Sequence, residues 1–79
     1  MIHVKLTGEF VKLAPEGTEK GSFDTEFEAG LTISRLLTRL GVKGQTIKYS
    51  VLVNKLRKPE DYVLNDSDSV LIIPLLAGG

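Results

Sequence analysis

The chain opens with an alternation of apolar and polar residues. Ile2, Val4 and Leu6 are apolar and the residues between them are polar, which is typical of a strand with one buried face. Gly8 interrupts this pattern, and the apolar residues resume out of phase over residues 10–13. We predict that the first strand passes a bulge or bend at Gly8 and then continues.

The next segments predict a hairpin and a helix. Residues 14–21 contain two glycines and a proline and predict a loop, and residues 23–28 alternate again as a second strand. We expect the two strands to pair antiparallel, with the Phe side of the second facing inward. Residues 33–40 carry apolar side chains at helical spacing. Thr32 is the predicted N-cap of this helix and Gly41 ends it.

The second half of the chain predicts the rest of a sheet. Residues 48–53 alternate as a third strand, and a short edge strand is expected near Leu56. Residues 65–68 are typical of a tight turn. Residues 69–75 form a near-continuous apolar run, which predicts a central strand covered on at least part of both faces.

These elements together predict an α+β protein with the β-grasp (ubiquitin-like) fold. We expect a mixed sheet of four to five strands with one main helix packed on one face. The last strand lies in the middle of this sheet, and if it is parallel to the first strand the crossover through the helix has the hand that sheets prefer. The β-grasp domain is predicted to span residues 1–76, followed by a flexible C-terminal Gly-Gly tail at residues 77–79.

Composition excludes several classes of function. The 79 residues have zero net charge, which disfavours nucleic acid or an anionic membrane as a partner. There is no cysteine and His3 is the sole histidine, so we expect no metal site and no catalytic triad. No signal peptide is visible, and no apolar run approaches the roughly 20 residues of a membrane helix. We expect a soluble cytoplasmic protein without an active site of its own.

The last residues carry the most specific chemistry. Gly78 and Gly79 directly follow an apolar stretch that includes Leu75 and Leu76. By themselves, two glycines fit a frayed terminus as well as a functional arm. Residues without a Cβ can thread a narrow tunnel and leave the terminal carbonyl carbon open to attack. Because a carboxylate is a poor acyl donor and the chain has no nucleotide-binding motif, another protein must activate it, with Leu75, Leu76 and Ala77 as an apolar anchor.

Basic residues form two local groups. Lys55, Arg57 and Lys58 fall in one predicted turn, and Arg35 and Arg39 lie on the outer face of the predicted helix. Solubility alone explains such residues. Alternatively, the group that includes Lys55 and Arg57 docks an acidic surface of a partner and speeds encounter.

The sequence resembles the ubiquitin-like sulfur carriers, namely the small subunit of molybdopterin synthase and the thiamine-pathway sulfur carrier. The resemblance extends over the whole chain in length and element order. Val53-Asn54 is similar to the family's strand end and turn asparagine. Residues 64–70 are similar to its Leu-x-Asp-Gly-Asp-x-Val turn, with Ser67 in place of glycine. Residues 73–79 are similar to its Phe-Pro-Pro-Val-small-Gly-Gly tail, with Leu75 in place of the second proline.

The resemblance implies a mechanism. A ubiquitin-activating-type enzyme, using ATP and magnesium, adenylates the Gly79 carboxylate, and a sulfur donor protein converts it to a thiocarboxylate. The tail, with Gly78 and Ala77, inserts into the large subunit of molybdopterin synthase and delivers sulfur to molybdopterin. Pro74, Leu75, Leu76, Lys55 and Arg57 are the expected partner-binding residues, and the chain itself binds no cofactor.

Three alternatives remain open at this point. The first is a carrier that feeds a thiazole synthase in thiamine synthesis. The second is a protein modifier joined through Gly79 to lysines of target proteins, which would use the same activated carboxyl. The third is a β-grasp binding module whose Gly-Gly end has no function. Pro74 and a length near that of the molybdopterin synthase subunit favour the molybdopterin pathway.

Overall fold

In the computed structural model, which describes residues 1–18 and 20–75, the chain folds into one sheet and one α-helix. The strands are β1 (Ile2–Leu6), β2 (Ser22–Thr25), β3 (Tyr49–Val53), β4 (Leu56–Arg57) and β5 (Ser69–Pro74), and the helix is α1 (Ile33–Leu40). Two 3-10 helices lie at Gly8–Leu13 and Val42–Gly44.

The five strands form a mixed sheet in the order β2-β1-β5-β3-β4. Strands β1 and β5 are parallel, whereas the pairs β1–β2, β5–β3 and β3–β4 are antiparallel. The last strand is therefore central and parallel to the first, with α1 in the crossover between them. This arrangement confirms the predicted β-grasp fold.

One face of the sheet and the apolar stripe of α1 form the core. Alternate residues of β1 and β5 are buried on this face, together with the inward side chains of β3. Among the residues that the structure describes, fourteen apolar ones are buried in this core: Ile2, Val4, Leu6, Phe10, Leu31, Ile33, Leu36, Leu37, Val42, Val51, Val53, Leu64, Val70 and Ile72.

Helix α1 begins and ends where the sequence predicts. The Thr32 Oγ1 atom accepts a hydrogen bond from the Arg35 backbone N–H at 3.2 Å, as an N-cap residue does. Gly41 has φ +87° and donates its backbone N–H to the last turn of the helix. This left-handed conformation is favourable for glycine and costly for other residues.

The prediction that the first strand continues past Gly8 is wrong. Strand β1 ends at Leu6, and Gly8, with φ +54°, begins the 3-10 helix Gly8–Leu13. Phe10 is fully buried in this helix and Leu13 packs against the core. Their spacing of three residues matches the 3-10 period, and the same spacing in sequence looks like a strand that has slipped by one residue.

The second and last strands match their predictions with small changes. Strand β2 pairs antiparallel with β1 as expected but ends at Thr25, so residues 26–28 are outside it. In β5, Val70 and Ile72 are buried on the core face, whereas Leu71 and Ile73 point to the opposite face and are half-buried. The buried side chains of α1 belong to the same core cluster as Val70 and Ile72, so α1 packs on the core face.

The predicted turn at Asn65–Asp68 is present and is held by a buried carboxylate. Asp68 is 7% exposed. Its Oδ2 atom accepts a hydrogen bond from the Asn65 backbone N–H at 2.8 Å, and its Oδ1 atom accepts one from the Asn54 side-chain amide at 2.9 Å. The carboxylate therefore ties this turn to the turn between β3 and β4.

Candidate functional site

The candidate site begins at the C-terminal end of β5. Pro74 pairs with Tyr49 at the end of the β3–β5 ladder. Beyond it, the Leu75 backbone N–H donates a hydrogen bond of 2.7 Å to the Lys48 carbonyl oxygen. The Leu75 side chain is 45% exposed, which leaves it accessible to a partner. The other predicted tail residues, Leu76, Ala77, Gly78 and Gly79, lie outside the described residues, as does the predicted domain boundary after residue 76.

Tyr49 connects the end of β5 to the rest of the fold. Its ring packs edge-on against Phe10, with the ring centroids 6.1 Å apart. Its hydroxyl donates a hydrogen bond of 2.7 Å to the Glu60 Oε2 atom. Burial, together with the Glu60 carboxylate, raises the pKa of Tyr49 to about 12. The phenol is thus held neutral, as a hydrogen-bond donor.

Glu60 is held as a carboxylate by two donors. The Lys43 ammonium group contacts the Glu60 Oε1 atom and the Tyr49 hydroxyl contacts Oε2. The hydrogen bond from Lys43 is the main cause that lowers the pKa of Glu60, and the Tyr49 bond adds to it. Through Glu60, this network connects Tyr49 at the start of β3 to Lys43 in the 3-10 helix that follows α1.

The sheet face opposite α1 is a second part of the site. We call it the outer face. Its side chains come from all five strands. They include Lys5, Leu52, Arg57, Leu71 and Ile73, and the polar residues His3, Ser22, Asp24, Ser50 and Ser69. Leu71 has Lys5 and Leu52 as direct cross-strand neighbours, and Arg57 lies beyond Leu52. The outer face therefore has a half-buried apolar centre with a basic residue on each side.

The turn between β3 and β4 places Lys55 beside the outer face. Asn54 and Lys55 have φ values of +50° and +72°, the pattern of a two-residue hairpin turn in which glycine is favoured at the second position. The Asn54 side chain accepts a hydrogen bond from the Ser69 backbone N–H at 3.0 Å. Lys55 borders an open depression of about 490 Å³ that Lys5 and Leu71 also line.

The predicted partner-binding residues lie in two places, beside the start of β5 and at its C-terminal end. Lys55 and Arg57 lie at one end of the sheet's outer face, whereas Pro74 and Leu75 lie at the end of β5. Sequence reasoning missed Lys5, Leu52 and Leu71 as members of this surface. Their outward positions in the alternation were visible, but their adjacency depends on which strands pair.

Several acidic residues are engaged in surface contacts. Asp24 contacts the His3 ring at 2.7 Å, and Glu28 forms ion pairs with Arg35 and Arg39. Among residues 1–18 and 20–75, no group of three or more His, Cys, Asp or Glu side chains is arranged to hold a metal ion. In the same described ranges, no helix is both long and apolar enough to cross a bilayer.

A mixed five-stranded sheet, one helix on one face and a central last strand leading to the C-terminal residues together define a ubiquitin-like β-grasp protein. A comparison with solved structures finds SAMP1 from Haloferax volcanii, with a TM-score of 0.73 and 16% sequence identity over 99% of this chain and 98% of that one. This likeness confirms the fold. The ThiS family model matches residues 4–79, and the chain therefore belongs to the ThiS family.

Members of this family are small carrier proteins that work with adenylating enzymes and synthase partners. A comparison with curated proteins gives no significant match.

Proposed function

We propose that this protein is a sulfur carrier whose Gly79 carboxyl group is activated by a ubiquitin-activating-type enzyme. The Gly79 carboxylate attacks the α-phosphorus of ATP, forms an acyl-adenylate and releases pyrophosphate. A sulfur nucleophile then attacks the carbonyl carbon and displaces AMP. With sulfide as donor the product is the thiocarboxylate. With a protein persulfide, a thiol cleaves the resulting acyl disulfide and is itself oxidised.

The observation that supports this proposal is the ThiS family match, which extends through Gly79. The described residues add a physical reason for the carrier role. They supply a central strand that leads directly to the C-terminal residues. In this proposal ATP and magnesium are bound by the activating partner, and the chain binds no cofactor itself.

We further propose that partners dock on the outer face and on the tail residues from Pro74 to Gly79. The outer face shares strand β5 with the start of the tail, so a partner that covers Leu71 also reaches Leu75. Lys55, Arg57 and Lys5 favour an acidic partner surface, because opposite charges speed encounter and set orientation. Gly78 and Gly79 then enter the partner's active site.

The destination that we favour is molybdopterin synthesis, with the large synthase subunit as the final partner and the molybdenum or tungsten cofactor as the product. Pro74 supports it, because the resemblance to these carriers includes a proline at this place before the tail. The thiamine pathway, with a thiazole synthase as partner, is a second candidate that the ThiS family match favours. A third candidate is conjugation of Gly79 to lysines of other proteins, since the activated carboxyl is the same.

Deletion of Gly79 tests the proposed carrier role. Intact mass spectrometry of the protein from its own host should reveal replacement of one oxygen by one sulfur, and the deletion should abolish both this species and cofactor synthesis. Gly44→Ala is the control, because a Cβ at Gly44 meets no atom within 4 Å. Survival of cofactor synthesis without Gly79 would refute the proposal.

A pull-down from the same host, with this protein as bait, distinguishes the three candidate pathways. Recovery of a molybdopterin synthase large subunit supports the favoured pathway, and recovery of a thiazole synthase supports the second candidate. Higher-mass conjugates that disappear when Gly79 is deleted support protein modification.

A further inference from the structure

Gly8 lies against the last residue of β5. An ideal Cβ placed on Gly8 would lie 2.7 Å from the Pro74 Cγ atom and 3.4 Å from its Cδ atom. Carbon atoms that are not bonded to each other attract at about 3.5–4.0 Å and repel strongly when closer. The proline ring therefore occupies the space that a side chain at position 8 would need.

Neighbouring contacts hold Gly8 and Pro74 together. The Thr7 hydroxyl donates a hydrogen bond of 3.0 Å to the Ile72 carbonyl oxygen, two residues before Pro74. On the other side, Pro74 pairs with Tyr49, and Tyr49 packs against Phe10 from the same 3-10 helix as Gly8. Pro74 thus has the 3-10 helix on one side and β3 on the other.

The residue after Pro74 is also held by a backbone hydrogen bond. The Leu75 backbone N–H donates to the Lys48 carbonyl oxygen, at the residue before Tyr49. A displacement of Pro74 would move Leu75 and this hydrogen bond, because the two residues are adjacent in the chain.

We propose that Gly8 is a positioning residue. Because it has no side chain, the Pro74 ring can pack against it, and this contact fixes the position of Pro74 and Leu75 at the start of the C-terminal segment. This inference rests on the proposed function, because the carboxyl group must reach a partner's active site from that starting point. Gly8 is far from the tail in sequence, and it acts through Pro74 without contacting the reacting atoms.

Three glycine substitutions separate the contact from backbone strain. Gly8, Gly17 and Gly30 all have positive φ values, of +54°, +80° and +82°, so alanine strains the backbone at each of them. A Cβ at Gly17 or Gly30 meets no atom within 4 Å. Gly30→Ala and Gly17→Ala therefore reproduce the strain of Gly8→Ala without the collision with Pro74.

The first measurement is hydrogen exchange of the Leu75 amide, which requires no partner. Gly8→Ala should raise its exchange rate by roughly tenfold or more relative to both control variants, as local opening becomes easier. If Gly8→Ala lowers the overall stability too far, Gly8→Asn replaces it, because asparagine tolerates positive φ better but still carries a Cβ. Equal Leu75 exchange in the position-8 variant and the controls would overturn the proposal.

The second measurement is ATP–pyrophosphate exchange with the host's own adenylating enzyme, at a temperature where every variant is folded. Gly8→Ala should raise the KM for the carrier by about tenfold or more, since small misplacements of a reacting group are costly. The two controls should stay within about twofold of wild type. Equal KM values for Gly8→Ala and the controls would also overturn the proposal.

The double variant Gly8→Ala/Pro74→Ala, together with the two single variants and wild type, forms a double-mutant cycle. Removal of the proline ring takes away the atoms that a Cβ at position 8 would meet. In the double variant, Gly8→Ala should therefore add to Pro74→Ala no more than the effect of backbone strain that the two control variants show. Strictly additive effects would contradict coupling between the two residues. If the wild-type carrier itself is not adenylated, the proposed function fails, while the Leu75 exchange rates still decide whether Gly8 seats Pro74.

Discussion

Ser67 and Lys55 both take a left-handed backbone conformation that glycine would adopt with less strain. Each has φ +72°, where a side chain costs roughly 1–2 kcal/mol. At Ser67 the resemblance to sulfur carriers, whose turn has glycine there, already indicates this cost. Lys55 lies beside the outer face, and such strain is often retained where a side chain is needed for function.

Replacement of Ser67 by glycine should stabilise the protein. Relief of the left-handed strain outweighs the greater freedom of glycine in the unfolded chain, and we expect the free energy of unfolding to rise by about 0.5–1 kcal/mol. Urea denaturation measures the change. Ser69→Gly is the matched control, because Ser69 lies in β5, where glycine should destabilise by a similar amount. A shift of the same sign in both variants would contradict the interpretation.

Glu60 should make stability depend on pH in the acidic range. Its pKa is lowered in the folded protein, mainly by the hydrogen bond from Lys43, so its contribution to stability is present above the unfolded pKa of about 4.3. That contribution is lost as the pH falls through the lower, folded pKa. We therefore expect Glu60→Gln to be less stable than wild type at neutral pH.

Denaturation of wild type and Glu60→Gln at a series of pH values checks this expectation. The difference in unfolding free energy between wild type and Glu60→Gln should be constant above about pH 5 and should shrink towards zero at lower pH. Asp61→Asn is the control, since no described residue forms an ion pair with this neighbouring carboxylate. A difference for Glu60→Gln that persists unchanged in acid would exclude the carboxylate as its cause.

At the scale of elements, a segment's secondary structure was predicted correctly where several independent features of the sequence agreed. Helix α1 has an N-cap, an apolar stripe and a C-terminal glycine, and all three agree. The segment Gly8–Leu13 has a single apolar pair at a spacing of three, which also fits a strand that has slipped past a bulge. Its 3-10 conformation depends on the burial of Phe10 under the sheet, which is a tertiary contact.

Strand β5 combines two roles on its two faces. Ile72 is fully buried, so Ile72→Ala should lower the free energy of unfolding by about 2–5 kcal/mol. Leu71 is half-buried on the outer face, so Leu71→Ala should cost at most about 1–2 kcal/mol. In the proposed function, Leu71→Ala should instead raise the KM in the adenylation assay.

Denaturation and adenylation kinetics on the two variants test this division of roles. Each variant serves as the matched control for the other, because Leu71 and Ile72 are adjacent and differ mainly in the face of the sheet that they occupy. The division would be wrong if Leu71→Ala were as destabilising as Ile72→Ala, or if it bound the adenylating enzyme as wild type does.

At the scale of the whole molecule, the parallel pairing of β1 with β5 assembles the site. It joins residues that are more than sixty positions apart, such as Lys5 and Leu71. The same pairing brings Gly8, just after β1, against Pro74 at the end of β5. The zero net charge of the chain conceals this arrangement, in which a basic residue lies on each side of the apolar centre of the outer face.

The sequence by itself determined the order of the strands and the α-helix, the fold class, the boundaries of α1 and the chemistry proposed for Gly79. These are local properties, since periodicity, capping residues and a short terminal motif act over a few neighbouring residues. The tertiary structure alone decided the 3-10 conformation of Gly8–Leu13, the set of residues on the outer face and the packing of Pro74 against Gly8. Each of these depends on which distant segments pack together, and close packing is a property of the folded chain as a whole.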